Sequence, residues 1–152
     1  MYLLDTNHCS QLLENNPTVT QKLSDLGDMI VGTCVIVQGE LVFGASISGQ
    51  RETNLQQIKE FLDNINVYQI DQKTAGIYGN MKAAIFNHFG PKEKAKRRKF
   101  AKKGLGIGEN DLWIAAIAKR YGLIVVSSDG DFDRIRKVEE DLSVVKWWLP
   151  SS

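Results

Sequence analysis

Apolar and polar positions divide the chain into short apolar runs and longer segments with helical periodicity. Five short runs predict β-strands at residues 2–5, 29–33, 66–71, 123–126 and 143–149. Between them, apolar residues recur at spacings of three and four, which predicts helices within 7–13, 17–26, 34–46, 50–65, 72–89 and 131–142 and another that begins near Asp111. Strands that alternate with helices predict an α/β fold with a parallel sheet covered on both faces. Trp147 and Trp148 are expected on opposite faces of the last strand.

Three acids lie in the segment from residue 106 to residue 135, at positions where a carboxylate needs a partner. Asp111 shares the stripe of the apolar residues three, four and seven positions later, and a charge on a core-facing stripe costs free energy unless it is paired. Asp129 and Asp131 follow the apolar run 123–126, at the carboxyl end of a predicted strand. Ligands bind at that edge in α/β sheets. We therefore expect these acids to belong to one site.

Two further acids occupy comparable positions. Asp5 ends the first predicted strand, with Thr6 or Asn7 as the predicted cap of the next helix; the alternative is that Asp5 is itself the cap. Glu40 is the single charge in the apolar helix 34–46, where a buried glutamate without a partner would be costly. The alternative for Glu40 is a place at the helix edge with its carboxylate in water.

Composition narrows the class of protein. A chain of 152 residues, 43% apolar and 24% charged, predicts one globular domain over 1–152. No apolar run approaches the roughly 20 residues of a membrane span, and the N-terminus lacks the features of a signal peptide, so a cytoplasmic protein without a membrane partner is expected. Two cysteines and two histidines, Cys9, Cys34, His8 and His88, show no zinc-type spacing and are predicted to be ordinary core or surface residues.

Charge is unevenly distributed along the chain. Residues 91–103 hold eight basic residues and one acid, a net charge of +7; since the whole chain carries +1, the rest carries −6. This basic segment is predicted to be a solvated surface helix or a mobile loop, and such a cluster attracts a phosphate backbone in a salt-dependent way. The glycine-rich residues 104–108 follow it rather than a strand, so they fail the dinucleotide-binding pattern and predict a flexible connector.

Carboxylates brought together would repel one another, and a hard divalent cation relieves that repulsion. Mg²⁺ and Mn²⁺ prefer oxygen ligands and retain waters for substrate phosphates, whereas the lack of histidine and cysteine among the acids argues against zinc. Hydrolysis of a phosphodiester is the chemistry that such a site favours. The basic segment would then hold a polyanion that the acidic pocket alone repels.

The motifs "YLLDTN", "GELVFGA", "A..YG.M.A", "IG.ND..IAA" and "VVSSDGDF", in this order, resemble the PIN-domain family and most closely its VapC toxins of type II toxin–antitoxin pairs. The resemblance implies a three-layer α/β/α PIN-like domain with a central, mainly parallel sheet and a Mg²⁺- or Mn²⁺-dependent endoribonuclease. It also implies a homodimer and a cognate VapB-like antitoxin whose C-terminal segment covers the active-site groove. Carried over by position, the catalytic and metal-binding quartet is Asp5, Glu40, Asp111 and Asp129, with Asp131 as an additional metal ligand and Thr6, Asn7 and Ser127 as supporting residues.

The basic segment departs from the family pattern as an insertion at about residues 91–104. We expect Lys96, Arg97, Arg98 and Lys99 to contribute to RNA binding; contact with an acidic antitoxin surface is the competing role. Two other functions stay open from sequence: a PIN-like module that binds RNA or a partner without cutting it, and a phosphoacceptor signalling domain. The missing lysine after the last core strand argues against the signalling domain.

Overall fold

The computed structural model describes residues 1–151, apart from the side chains of residues 101–103. Within this range, five strands form one sheet in which neighbouring strands are parallel. The strands are β1 (Tyr2–Leu4), β2 (Val31–Cys34), β3 (Asn66–Tyr68), β4 (Ile124–Val126) and β5 (Val144–Val145), and their spatial order is β3-β2-β1-β4-β5. The central, parallel sheet predicted from the sequence is confirmed.

Helices connect and cover the strands. Within the described range they are α1 (Thr6–Leu13), α2 (Pro17–Asp25), α3 (Val35–Ser46), α4 (Arg51–Asp63), α5 (Gln72–Phe89), α6 (Lys94–Lys103), α7 (Glu109–Tyr121) and α8 (Asp131–Arg136). The chain passes from β1 to β2 and β3 in one direction, then returns to β4 and β5 on the other side of β1. Right-handed crossovers place α1 to α4 on one face of the sheet and α5 to α8 on the other, which gives three layers.

The strand order reverses between β1 and β4, and this switch point is where ligands bind in parallel α/β sheets. The backbone N–H of Asp5 donates to the carbonyl oxygen of Val126 at 3.1 Å, so the carboxyl ends of the two strands lie side by side. Asp5 and the loop after β4 therefore begin at the same place on the sheet edge.

The hydrophobic core explains why the two central strands and α7 are rigidly placed. Leu3 and Leu4 of β1 and Val125 and Val126 of β4 are fully buried. In α7, buried apolar residues cover most of the helix after its first turn, which fits a helix packed against the sheet on a wide apolar surface. The first turn of α7 thus lies at the border between core and solvent.

The structure decides between the two caps left open for α1 and corrects the last strand. Asp5 is the cap, as the alternative anticipated, rather than Thr6 or Asn7: its carboxylate accepts the backbone N–H of His8 at 2.9 Å, so one of the free N–H groups of the first turn is satisfied. The last strand is also shorter than predicted, because the chain leaves the sheet after Val145. Trp147 and Trp148 consequently pack around His8 instead of occupying opposite faces of a strand.

Among the helices that the structure describes, none combines the length and the apolar character needed to span a membrane.

Candidate active site

Three carboxylates from different elements converge at the switch point. Asp111 lies in the first turn of α7, Asp129 in the loop after β4 and Asp131 at the first position of α8. Each offers an oxygen within 4.8 Å of the other two. We call these three residues the acidic cluster.

Short hydrogen bonds shape the loop that carries two of these acids. The backbone N–H of Asp129 donates to the buried hydroxyl oxygen of Ser127 at 3.1 Å, and the N–H of Asp131 donates to Oδ1 of Asp129 at 2.9 Å. Both bonds close turns of the kind that Ser and Asp side chains form with a backbone two residues later. Ser127 therefore orders the loop that carries Asp129, and its supporting role in the site stays a prediction.

The glycine-rich residues 104–108 are an anchored part of the site, so the prediction of a flexible connector was wrong. Leu105 and Ile107 are buried, and the guanidinium of Arg134 donates to the carbonyl oxygens of Leu105 and Gly106 at 3.1 and 2.9 Å. The backbone N–H of Gly108 donates to Oδ2 of Asp131 at 2.7 Å. This loop thus fixes one oxygen of the acidic cluster.

Electrostatic repulsion dominates the acidic cluster. Burial of Asp111 is the largest cause of a pKa raised from 3.8 to about 8, and the nearby charges of Asp129, Asp131 and Asp5 raise it further. Without a cation, Asp111 therefore holds a proton at neutral pH. The donor set consists of carboxylate oxygens, and the stored repulsion would be relieved by positive charge, so these residues fit a hard divalent cation.

Asp5 lies next to the acidic cluster and is more deeply buried. It is 5% exposed, and its charge contributes to the raised pKa of Asp111. Its Oδ1 accepts two hydrogen bonds from His8, one from the backbone N–H and one from Nδ1 of the imidazole, both at 2.9 Å. From the sequence, His8 was predicted to be an ordinary core or surface residue. Its i, i+3 spacing from Asp5, which puts the two residues side by side in the first turn of α1, is the signal that could have revealed this contact.

Glu40 is not one of the three mutually close carboxylates of the acidic cluster. Its half-buried side chain borders two cavities, one of about 350 Å³ shared with Thr6 and one shared with Asn110. Thr6 and Asn110 are the chain neighbours of Asp5 and Asp111. Glu40 is therefore linked to the site only through these cavities, and its partly exposed side chain agrees with the alternative of a glutamate at the helix edge.

Thr6 and Asn7, two of the predicted supporting residues, differ in their burial. The hydroxyl of Thr6 is buried and has no hydrogen-bond partner among the described residues, and Thr6 lines the cavity of about 350 Å³. Asn7 is exposed. Of this pair, only Thr6 presents an unsatisfied polar group beside the candidate site.

The basic segment forms α6, and its four predicted RNA-binding residues are not equivalent. The guanidinium of Arg97 donates to Oδ1 of Asn87 at 2.9 Å and to the carbonyl oxygen of Pro91 at 3.4 Å, and it lies 4.4 Å from the ring centroid of Phe86. Arg97 therefore anchors α6 to the preceding helix. The exposed cations of the predicted set are Lys96, Arg98 and Lys99.

Residues 2–138 match the family model of the PIN domain. The match covers most of the chain, so the chain belongs to the PIN domain family, and the resemblance seen in its motifs is confirmed.

Curated relatives and solved structures agree with this family. The chain is 31% identical over 137 residues to Ribonuclease VapC2 of Haemophilus influenzae, covering 88% of this chain and 91% of the relative. It is 28% identical over 137 residues to the tRNA(fMet)-specific endonuclease VapC of Shigella flexneri, with the same coverage. Among solved structures, VapBC2 from Rickettsia felis bound to a promoter DNA fragment and DNA-bound VapBC from Salmonella typhimurium each superpose with a TM-score of 0.73 at 26% identity. Each covers 97% of this chain and 98% of the other.

Proposed function

We propose that the chain is an endoribonuclease that depends on Mg²⁺ or Mn²⁺ and acts as the toxin of a type II toxin–antitoxin pair. The observation that carries the proposal is the convergence of Asp111, Asp129 and Asp131 at the switch point of a PIN domain. Relatives named as ribonucleases, which match along most of their length, support the reaction type.

We assign the catalytic roles to Asp5, Glu40, Asp111 and Asp129, and add Asp131 as a cation ligand. The bound cation would activate a water and stabilise charge on the RNA phosphate. Asp111 and Asp129 present oxygens from facing elements, while the bond from Gly108 to Asp131 keeps the third carboxylate oriented. Ser127 orders the loop that carries Asp129, and Thr6 and Asn7 border Asp5. Preorganised ligands of this kind lower the cost of binding the cation.

For the substrate, we propose a structured RNA, with tRNA as the first candidate. One relative is named as an endonuclease specific for tRNA(fMet). The exposed cations Lys96, Arg98 and Lys99 on α6 give the otherwise acidic chain a surface for a phosphate backbone. This contact is sequence-independent, so it would set affinity rather than the cleavage site.

For partners, we propose a VapB-like antitoxin and a second copy of the chain. The solved neighbours are VapBC complexes. Large apolar side chains near the end of α3 are exposed, with Phe43 at 65% and Ile47 at 71%. Apolar exposure of this kind is typical of surfaces that a protein partner covers.

The test is RNA cleavage by antitoxin-free protein with Mg²⁺ or Mn²⁺, compared with Asp111→Asn and Asp129→Asn. Both variants are expected to lose cleavage by at least about 100-fold while they remain folded. Asp133→Asn is a matched control, because its exposed carboxylate lies on α8, two residues after Asp131, but pairs with Lys146 at 4.0 Å. Full cleavage by Asp111→Asn, or by the unaltered protein in excess chelator, would contradict the proposal. RNA binding without turnover in any metal would instead identify a non-cutting PIN-like module.

A further inference from the structure

A buried histidine supports the first acid of the site. His8 is fully buried in the first turn of α1, and its Nδ1 lies 2.9 Å from Oδ1 of Asp5. The backbone N–H of His8 donates to the same oxygen at 2.9 Å. Oδ2 of Asp5 accepts no hydrogen bond from the described part of the chain, so the two carboxylate oxygens have distinct environments.

The contacts of the imidazole define its hydrogen position. A carboxylate oxygen can only accept, so Nδ1, which faces Asp5, carries the hydrogen. Nε2, on the opposite side of the ring, is buried and has no hydrogen-bond partner among the described residues. An imidazole protonated on both nitrogens would leave a buried N–H without an acceptor, which is costly. The neutral Nδ1–H form satisfies the contact with Asp5.

Aromatic packing fixes the orientation of the imidazole. Trp147 and Trp148 lie nearly perpendicular to it, at 83° and 87°, with ring centroids 6.5 and 6.1 Å away. The hydroxyl of Ser128, in the loop next to Asp129, donates to the carbonyl oxygen of Trp148. The segment after β5 therefore encloses His8 and is itself tied to the loop of the acidic cluster. An apolar side chain would fill this enclosure without leaving Nε2 unsatisfied, so packing alone does not account for a histidine here.

We infer that His8 is a positioning residue for the cation site: by holding Oδ1 of Asp5, it fixes the carboxylate so that Oδ2 is available to the cation. This inference rests on the proposed function, because it assigns Asp5 to the cation. Hydrogen bonds of this type orient ligating carboxylates, and their loss commonly weakens metal affinity about 10- to 100-fold. The role does not require His8 to touch the cation or the RNA.

The test compares His8→Leu with His8→Asn. The two replacements have similar size, but only the asparagine has a side-chain N–H near the position of Nδ1. Calorimetric titration of each cation-free protein with Mn²⁺ reads out affinity independently of activity. We expect His8→Leu to weaken Mn²⁺ binding about 10- to 100-fold and His8→Asn to stay within about threefold of the unaltered protein. In cleavage assays, His8→Leu should need more Mg²⁺ for half-maximal activity, with KM for RNA unchanged.

The results distinguish a failure of the His8 inference from a failure of the proposed function. Unaltered Mn²⁺ affinity in His8→Leu, or equal losses in the leucine and asparagine variants, overturns the inference while the proposed function stands. Lack of Mn²⁺ binding by the unaltered protein refutes the proposed function itself. If His8→Leu does not fold, His8→Phe takes its place, because it keeps a planar ring against the two tryptophans and lacks the donor. Circular dichroism of each variant in chelator verifies the fold.

Discussion

Replacing Asp111 with Asn tests the electrostatic reasoning about the acidic cluster. In the cation-free protein, burial and the neighbouring carboxylates raise the pKa of Asp111 from 3.8 to about 8. The folded protein thus keeps a proton on this carboxyl at pH values where the unfolded chain has released it. Since folding takes up this proton, the free energy of unfolding falls as the pH rises through the interval between the two pKa values.

The size of the effect follows from the proton count. One proton taken up on folding changes the free energy of unfolding by about 1.4 kcal/mol per pH unit. From pH 5 to pH 7 this amounts to about 3 kcal/mol. Solvent around the half-buried side chain screens the charges, which lowers the expected change in the free energy of unfolding to about 2 kcal/mol. The Asp111→Asn variant cannot take up the proton. Its stability relative to the unaltered chain should therefore rise by about 2 kcal/mol over the same interval.

Urea denaturation at pH 5, 6 and 7 in excess chelator measures this difference. Asp133→Asn again serves as the control, because its exposed carboxylate lies outside the acidic cluster, and it should follow the unaltered protein at every pH. Saturating Mg²⁺ should stabilise the unaltered protein through binding to the folded state and should stabilise Asp111→Asn much less. A stability difference that stays constant between pH 5 and pH 7 would show that Asp111 does not take up a proton on folding.

Three further predictions concern the rest of the chain. Arg97→Ala should lower the melting temperature more than Lys99→Ala, because Arg97 anchors α6, and equal melting temperatures would contradict this. Lys99→Ala should instead reduce the salt dependence of RNA binding by about one phosphate contact, and an unchanged salt slope would contradict that. Burial raises the pKa of Cys34 to about 11 and also raises that of Cys9. Both thiols of the native protein should therefore resist alkylation by iodoacetamide at pH 8, and rapid labelling before unfolding would be contrary evidence. Gly32→Ala should cost about 1–3 kcal/mol in urea denaturation, because its Cβ would lie 2.7 Å from the carbonyl oxygen of Asn66, and unchanged stability would disprove that clash.

The order of elements was predictable because it depends on local patterns. Apolar runs of strand length and stripes of helical period indicated the parallel α/β fold, and the family motifs indicated the PIN domain. Strand ends were less predictable: the last strand is only Val144–Val145, since packing of Trp147 and Trp148 around His8 draws the chain away from the sheet. Their partner is in the first turn of α1, far away in sequence.

In the candidate site, too, some features were predictable from local sequence patterns and others depended on contacts between distant residues. That Asp111 and Asp129 would need a partner could be argued from their places on a stripe and after a strand, and their assignment as catalytic residues stays a prediction. The anchoring of residues 104–108 could not be foreseen, because it depends on Arg134 and Asp131, 23 to 29 residues later in the chain. Nor did the spacing of His8 from Asp5 reveal which nitrogen would face the carboxylate.

The order of residues was sufficient to specify a parallel sheet with acids after its central strands, because apolar periodicity and crossover handedness act along short stretches of chain. Asp111, Asp129 and Asp131 were assigned to one site from the sequence, but tertiary packing decided how closely their carboxylates approach one another. The oxygens of Asp111, Asp129 and Asp131 lie within 4.8 Å because α7 and α8 are packed beside the carboxyl end of β4. Distances between distant side chains depend on how whole elements fit together, and no local pattern encodes that fit.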